Sequence, residues 1–345
     1  MTPKTITHQI RTILFSNPKQ IILSLCCLLF LSIVGSQLVG WLFWNATWTG
    51  TAETCRTNSG ACWAFIHDKF RFIVFGTYPY EQHWRPALAM IGFLALLILA
   101  LRQKIWNLKT ILIYLSGWLG LFVLIKGGCL GLASIDSEHI SGLPLTLVLA
   151  VHGILLSYPL AIALSLGRRS ALPIIRTLCT TYIEIIRGVP MISLLFMSSV
   201  MIPFFFPEGF FLDKILRAQL AIILFVSAYL AEVIRGGLNA LPKGQWEAAK
   251  ALGLNSWQMY RLVILPQALR LVIPSTVNIF VSVLKDTTLV VVISMYDLLG
   301  TGKAALTDPL WLGFSRELYV FLAVVYFFMC YALTRYSKSL ELHYD

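Results

Sequence analysis

Residues 244–266, GQWEAAKALGLNSWQMYRLVILP, form an amphipathic insert between two strongly apolar segments of a chain otherwise suited to lipid. Pro242 fits a helix start, where its missing N–H is one that the first turn leaves unpaired anyway, and 245–252 then runs through good helix formers. Gly253 is predicted to close that helix in the left-handed conformation. Asn255 and Ser256 can cap a second helix over 257–265, which Pro266 is expected to break or bend. Ala248, Ala249 and Ala251 offer a small-residue surface for close packing, with Glu247 and Lys250 at its edge. Such an insert is either an ordinary connecting loop or a docking element for another protein, and its composition alone does not choose.

The surroundings are membranous. Of 345 residues, 58% are hydrophobic and 12% charged, and the mean hydropathy is +0.77. About a quarter of residues are charged in an ordinary soluble domain, so that class is excluded. A helix crosses the hydrocarbon core in about 20 apolar residues. Candidate spans are 20–44, 86–101, 110–125, 142–167, 190–206, 219–237, 271–293 and 318–336, which predicts an all-α polytopic membrane protein with about eight transmembrane helices. The apolar run at 21–44 lacks a small-residue cleavage site and reads as a retained first span.

Charge orients the chain. Lys4, Arg11, Lys19, Arg102, Lys104, Lys109, Arg168, Arg169, Arg176, the insert's Lys243, Lys250, Arg261 and Arg270, and Arg335 and Lys338 fall on one side. The positive-inside rule makes that side cytoplasmic, with both termini and the insert on it. The net charge of +11 is then mostly topology, and a nucleic-acid partner is not expected. The long outer connector, 45–85, carries Cys55 and Cys62, which in an oxidising compartment either form a disulfide or stay as free thiols. The other cysteines, Cys26, Cys27, Cys129, Cys179 and Cys330, are expected as small core residues, and no metal spacing occurs.

As one helix, 173–206 would extend to roughly 50 Å, too long for a single crossing. A break is predicted at Gly188-Val189-Pro190, giving a helical segment near the inner surface and then a short span. Glu184-x-x-Arg187-Gly188 is echoed by Glu232-x-x-Arg235-Gly236. In each, acid and base three apart on a helix can neutralise one another, and the glycine permits close approach or a bend. These are structural ion pairs or parts of a gate that includes Pro190 and Tyr229. Lys285-Asp286-Thr287-Thr288 places charge within a span. There Asp286 either meets a substrate's ammonium group or pairs locally, and the threonines either line a path or bond back to their own helix. No H-E-x-x-H, G-x-S-x-G or phosphate loop is present, so no catalytic residues are assigned.

The spacing Glu247-Ala248-Ala249, Gly253, Val263, Leu265-Pro266 resembles the EAA signature of permease subunits of ABC importers, with Val263 where Ile is usual. TYIEIIRGVPMISLLF at 181–196, SAYLAEVIRGGLNALPKGQ at 227–245 and LKDTTLVVVISMYDLL at 284–299 resemble the polar amino-acid branch, in particular the longer permease of general L-amino-acid uptake systems. The resemblance covers about 142–340. It implies a five-helix type I importer core over 141–345 with a coupling loop at 242–270; the three spans before it, over 1–140, read as an accessory module that does not match the signature. In the same way it implies ATPase coupling at Gln245, Glu247, Ala248, Ala249, Gly253, Leu265 and Pro266, and a gate around Glu184, Arg187, Gly188, Pro190, Tyr229, Glu232 and Arg235. Implied partners are a second permease, two cytoplasmic ABC ATPases and a periplasmic amino-acid-binding protein, in the bacterial inner membrane. ATP and Mg would sit on the ATPases, with no cofactor in this chain. The competing expectation is a secondary transporter or channel driven by an ion gradient, which requires a midplane ion site or inverted repeat.

Overall fold

A computed structural model describes residues 17–102, 108–129, 131–207 and 212–344. Among them the chain is helical, with no β-strand. Helix α1 (Pro18–Val39) runs into a π turn (Gly40–Trp44) and is followed by α2 (Ala52–Thr57) and α3 (Trp63–Phe75). Helices α4 (Trp84–Arg102) and α5 (Leu108–Lys126) form a hairpin. Next come α6 (Gly142–Gly167), α7 (Pro173–Gly188), α8 (Met191–Val200) and α9 (Lys214–Ala240). The insert forms α10 (Lys243–Ala251), α11 (Ser256–Gln258), a π turn (Met259–Ile264) and α12 (Leu265–Leu271). Helix α13 (Ile273–Asp286) continues as a 3₁₀ stretch (Thr287–Ile293), and α14 (Leu298–Ala305) and α15 (Ser315–Tyr344) close the chain.

Five of the described helical segments are long and apolar enough to cross a membrane: Pro18–Trp44, Gly142–Gly167, Lys214–Ala240, Ile273–Ile293 and Ser315–Arg335. The pair α7 and α8 adds a sixth if it is one broken span, bent by 103°. Its break falls at Val189, whose extended backbone (φ −104°, ψ 133°) is what a residue preceding proline favours. The two other expected spans correspond in position to α4 and α5. Lys4, Arg11 and Lys104 lie outside the described residues.

The described chain divides into two compact units. The first holds 17–69 and Asp308–Tyr319. In it Cys55 and Cys62 are disulfide-bonded with Cα atoms 5.5 Å apart. Lys69 Nζ meets Asp308 Oδ2 at 2.7 Å, Trp311 Nε1 donates to Asp68 at 2.9 Å, and Phe65 packs against Trp311 and Phe314. Helix α1 buries no residue, so Cys26 and Cys27 are exposed rather than core, as is Cys129 in the other unit. A helix that buries none of its residues keeps its small side chains on the surface along with its leucines.

In the second unit, α6 and α9 form the central pair. A Cβ on Gly153 of α6 would come within 2.6 Å of Ile222 on α9, so glycine sets that approach. Leu145, Leu149, Ile222, Leu230 and Ile234 are fully buried around the contact. The α4–α5 hairpin joins this core through aromatic rings: Phe93, Trp118 and Phe122 surround His152 of α6 edge-on. Buried Arg85 donates to the carbonyls of Leu124 at 2.8 Å and Ala133 at 2.9 Å. The negative end of α5 thus offsets a guanidinium withdrawn from water.

Candidate functional site

The insert folds by the rules its sequence displays. Helix α10 begins after Pro242, and Gly253 adopts φ +74° with nothing within 4 Å of where a Cβ would stand. Asn255 then caps the next helix. Its side chain accepts from the Gln258 N–H at 2.9 Å, and Gln258 accepts from the Asn255 N–H at 3.1 Å, a reciprocal capping box. Pro266, by contrast, neither breaks nor sharply ends the helix. The preceding π turn contributes one extra residue to the winding, which accommodates a position that cannot donate a backbone hydrogen bond. The helix is interrupted at Val272 (φ −100°, ψ 7°).

One side of the insert packs inward and the other is bare. Ala249 is buried, and Trp246 meets Tyr260 edge-on at 5.5 Å. Gln267 donates to Gln245 at 3.1 Å, tying α12 to α10. Glu247, Ala248 and Pro266 are exposed, Leu265 is half-buried, and Leu252, Trp257 and Leu262 are 78%, 67% and 63% exposed. Large apolar side chains on an otherwise polar insert form the kind of patch that marks a protein contact.

The charged residues expected at the gate meet in a cluster that sequence spacing only half anticipates. Arg235 does bond Glu232 three residues back, through two nitrogens. Glu184 and Arg187 do not make the corresponding local pair. Glu184 is taken instead by Arg168, from the end of α6, at 2.8 Å, while Arg187 approaches Glu232 at 4.0 Å and lies over the Tyr229 ring at 5.5 Å. Arg168 also reaches Glu232 at 3.1 Å. Three guanidinium groups thus share two carboxylates, and a partner from another helix displaces the i, i+3 pairing because it satisfies both acids at once. At this exposure each pair is worth little alone, so what the cluster supplies is a fixed arrangement of α6, α7 and α9.

Of the two roles expected for the glycines of the echo, close approach occurs at neither. Gly188 and Gly236 have nothing within 4 Å of an added Cβ. Close approach occurs at Gly237, where a Cβ would stand 2.7 Å from the Ala268 carbonyl oxygen and 2.6 Å from Val272. Gly188 serves the bend, with Pro190 capping α8.

Tyr229 and Asp286 face one cavity of about 230 Å³, which Phe225 and Ser282 also line. That brings a residue expected at the gate and one expected on the path together. Lys285 is exposed and does not line the cavity, whereas Thr287 and Thr288 bond back to the carbonyls of Leu284 and Lys285 at 2.9 and 2.8 Å. Sequence reading missed Asp297. Fully buried, it caps α14 by accepting from the Gly300 N–H at 2.9 Å and from the Tyr326 hydroxyl at 3.1 Å. Its visible signal was a D-x-x-G cap pattern at the start of a helix. Among the described residues no cluster of His, Cys, Asp and Glu could hold a metal ion.

Helical spans, a bent helix pair and a bare-faced amphipathic insert describe a multi-pass membrane protein with a surface suited to a protein contact. Residues 153–341 match the model of the binding-protein-dependent transport system inner membrane component, and the chain belongs to that family. It is similar to the inner membrane amino-acid ABC transporter permease protein YhdY of Escherichia coli (strain K12), at 43% identity over 97% of this chain and 92% of that one. It is also similar to the glutamate/glutamine/aspartate/asparagine transport system permease protein BztC of Rhodobacter capsulatus, at 36% identity over 95% and 91%. In structure it resembles a chain from a crystal structure of an amino acid ABC transporter with histidines, with a TM-score of 0.52 and 28% identity over 59% of this chain and 92% of that one. The chain is therefore an inner-membrane ABC importer permease, a transport component rather than an enzyme.

Proposed function

We propose that this permease carries polar or general L-amino acids, delivered by a periplasmic binding protein, across the inner membrane. The names of its relatives support that substrate class. In this reading it pairs with a second permease above two cytoplasmic ABC ATPases, on which ATP and Mg are bound. Both termini and the 242–270 loop lie on the cytoplasmic side, as the distribution of Lys and Arg favours. Residues 1–140 are an accessory module, and 141–345 form the transport core.

The observation that carries the proposal is the bare face of the insert, where exposed Leu252, Trp257 and Leu262 lie beside exposed Glu247 and Ala248. The ATPase covers this face, and its closure moves α10 and α12. The cluster of Glu184, Arg187, Glu232 and Arg235 then rearranges as the permeases rock between inward and outward states. Asp286 and Tyr229 present a carboxylate and a phenol to the cavity, groups suited to a substrate ammonium.

Mild solubilisation and affinity purification test the assembly. An ATPase and a second permease should copurify with the native chain and be lost from the Glu247→Arg, Gly253→Val double variant. A chain that purifies alone and transports on an ion gradient would refute the reading.

A further inference from the structure

The insert and the charge cluster share no residue, yet one corner of the chain touches both. Helix α6 ends at Gly167, and α7 starts at Pro173. The connecting turn is held by four hydrogen bonds: the N–H groups of Arg168, Arg169 and Ser170 donate to the carbonyls of Leu164, Leu166 and Gly167, and the Leu172 N–H donates to the Ser170 hydroxyl. Its two arginines diverge from this turn. Arg168 spans Glu184 on α7 and Glu232 on α9. Arg169 donates to Asn239, near the end of α9, at 3.2 Å, and its guanidinium lies 5.1 Å from the centre of the Trp246 ring on α10. Trp246 in turn abuts Tyr260 in the second half of the insert. Gly167 lets α7 fold back closely, since a Cβ there would stand 2.5 Å from Cys179 Sγ.

We propose that the Arg168-Arg169 corner is the relay from insert to gate: Arg169 senses the position of α10 through Trp246, and Arg168 transmits it to the acids of α7 and α9. The inference rests on the coupling role proposed for the insert. Arg169 and Arg168 are positioning residues, acting through Trp246 on one side and through Glu184 and Glu232 on the other. A stiff turn suits this task, because displacement of one adjacent side chain moves the next with little loss. The two arginines differ in what they require. Arg168 serves two acids through separate nitrogens, which a single ammonium cannot reproduce. Arg169 makes one donor contact and one face contact, which a lysine can approximate.

The test uses the complete transporter, with ATPases, partner permease and binding protein, in proteoliposomes. The quantity read is ATP hydrolysed per substrate molecule imported. Because both terms scale with the amount of folded complex, the ratio separates coupling from assembly. Arg169→Ala should raise it by about fivefold or more, the scale of one cation–π contact and one charged hydrogen bond. Arg169→Lys should restore most of the coupling, and Arg168→Lys should not. Trp246→Leu combined with Arg169→Ala should be no worse than the poorer single variant, because both lie on one route. A wild-type ratio in Arg169→Ala, whether or not both rates fall together, would overturn the relay. Gly253→Val run in parallel distinguishes the levels. If it uncouples and Arg169→Ala does not, the relay alone fails. If neither uncouples, the coupling role of the insert fails with it.

Discussion

Arg168 lies 3.1 Å from Glu232 across 64 residues of sequence, and through that contact the end of α6 is bound to the middle of the cluster. Glu232 faces three guanidinium groups, from Arg168, Arg187 and Arg235, whereas Glu184 pairs directly with Arg168. Their neutral amides should therefore differ in effect. Glu184→Gln removes one partly exposed pair and should lower uptake by no more than about threefold. Glu232→Gln leaves three like charges without their shared acid and should lower uptake by about tenfold or more. Initial uptake rates in the reconstituted transporter give the order directly.

Gly253 separates conformational strain from crowding. Its φ is +74°, and the space beside it is empty, so a side chain there meets no neighbour and the cost lies in the backbone alone. Asn tolerates that region and should retain coupled uptake. Gly253→Val should cost roughly 1–2 kcal/mol locally and uncouple ATP hydrolysis from uptake with normal membrane insertion. Equal behaviour of the two variants would remove the left-handed turn as the reason for glycine.

Adjacent glycines on α9 predict opposite outcomes from the same change. Gly236→Ala enters open space and should be neutral or stabilising by about 0.5–1 kcal/mol through helix propensity. Gly237→Ala drives a methyl group against the Ala268 backbone carbonyl and should destabilise by about 1–3 kcal/mol as α12 is pushed away. Thermal unfolding in detergent, measured for both, checks the sign as well as the size.

Asp213, just before α9, provides a pH signature. Burial works to raise its pKa, but bonds from Lys126, Ser137 and the Ile215 N–H outweigh it and hold the carboxyl below its ordinary value. A depressed folded-state pKa contributes stability that is complete above the unfolded value, about 3.9, and is lost as pH falls through the folded one. Thermal stability should therefore hold down to about pH 4 and decline below it. Asp213→Asn should lower the plateau and flatten the acid limb, and an unchanged acid limb would show that the carboxylate contributes nothing there.

What the sequence made legible was governed by near neighbours. The left-handed Gly253, the Asn255 cap and the break before Pro190 each follow from a few adjacent residues, and each appears where local rules put it. No break occurs at Pro266, because a proline's effect depends on the winding before it, and a π turn has no marker as plain as a proline. Arg168 and Arg169 read only as cations of one connector, since nothing in their spacing points to acids 16 and 64 residues away. The supposed Glu184–Arg187 pair failed for the same reason: local proximity was visible and the competing tertiary partner was not. Family resemblance marked the insert and the gate separately, without indicating what joins them.

The bond between Cys55 and Cys62 turns a short stretch of chain into a chemical compass. Thiols kept in the cytoplasm stay reduced, so an oxidised pair records that its loop has been exported. If all eight expected spans cross the membrane, five crossings separate this loop from 242–270, and the two would then face opposite sides. Maleimide labelling of whole cells with and without prior reduction would read that record from two sulfur atoms. On that eight-span reading, a cystine found there supports an insert on the cytoplasmic side, and a free pair counts against it.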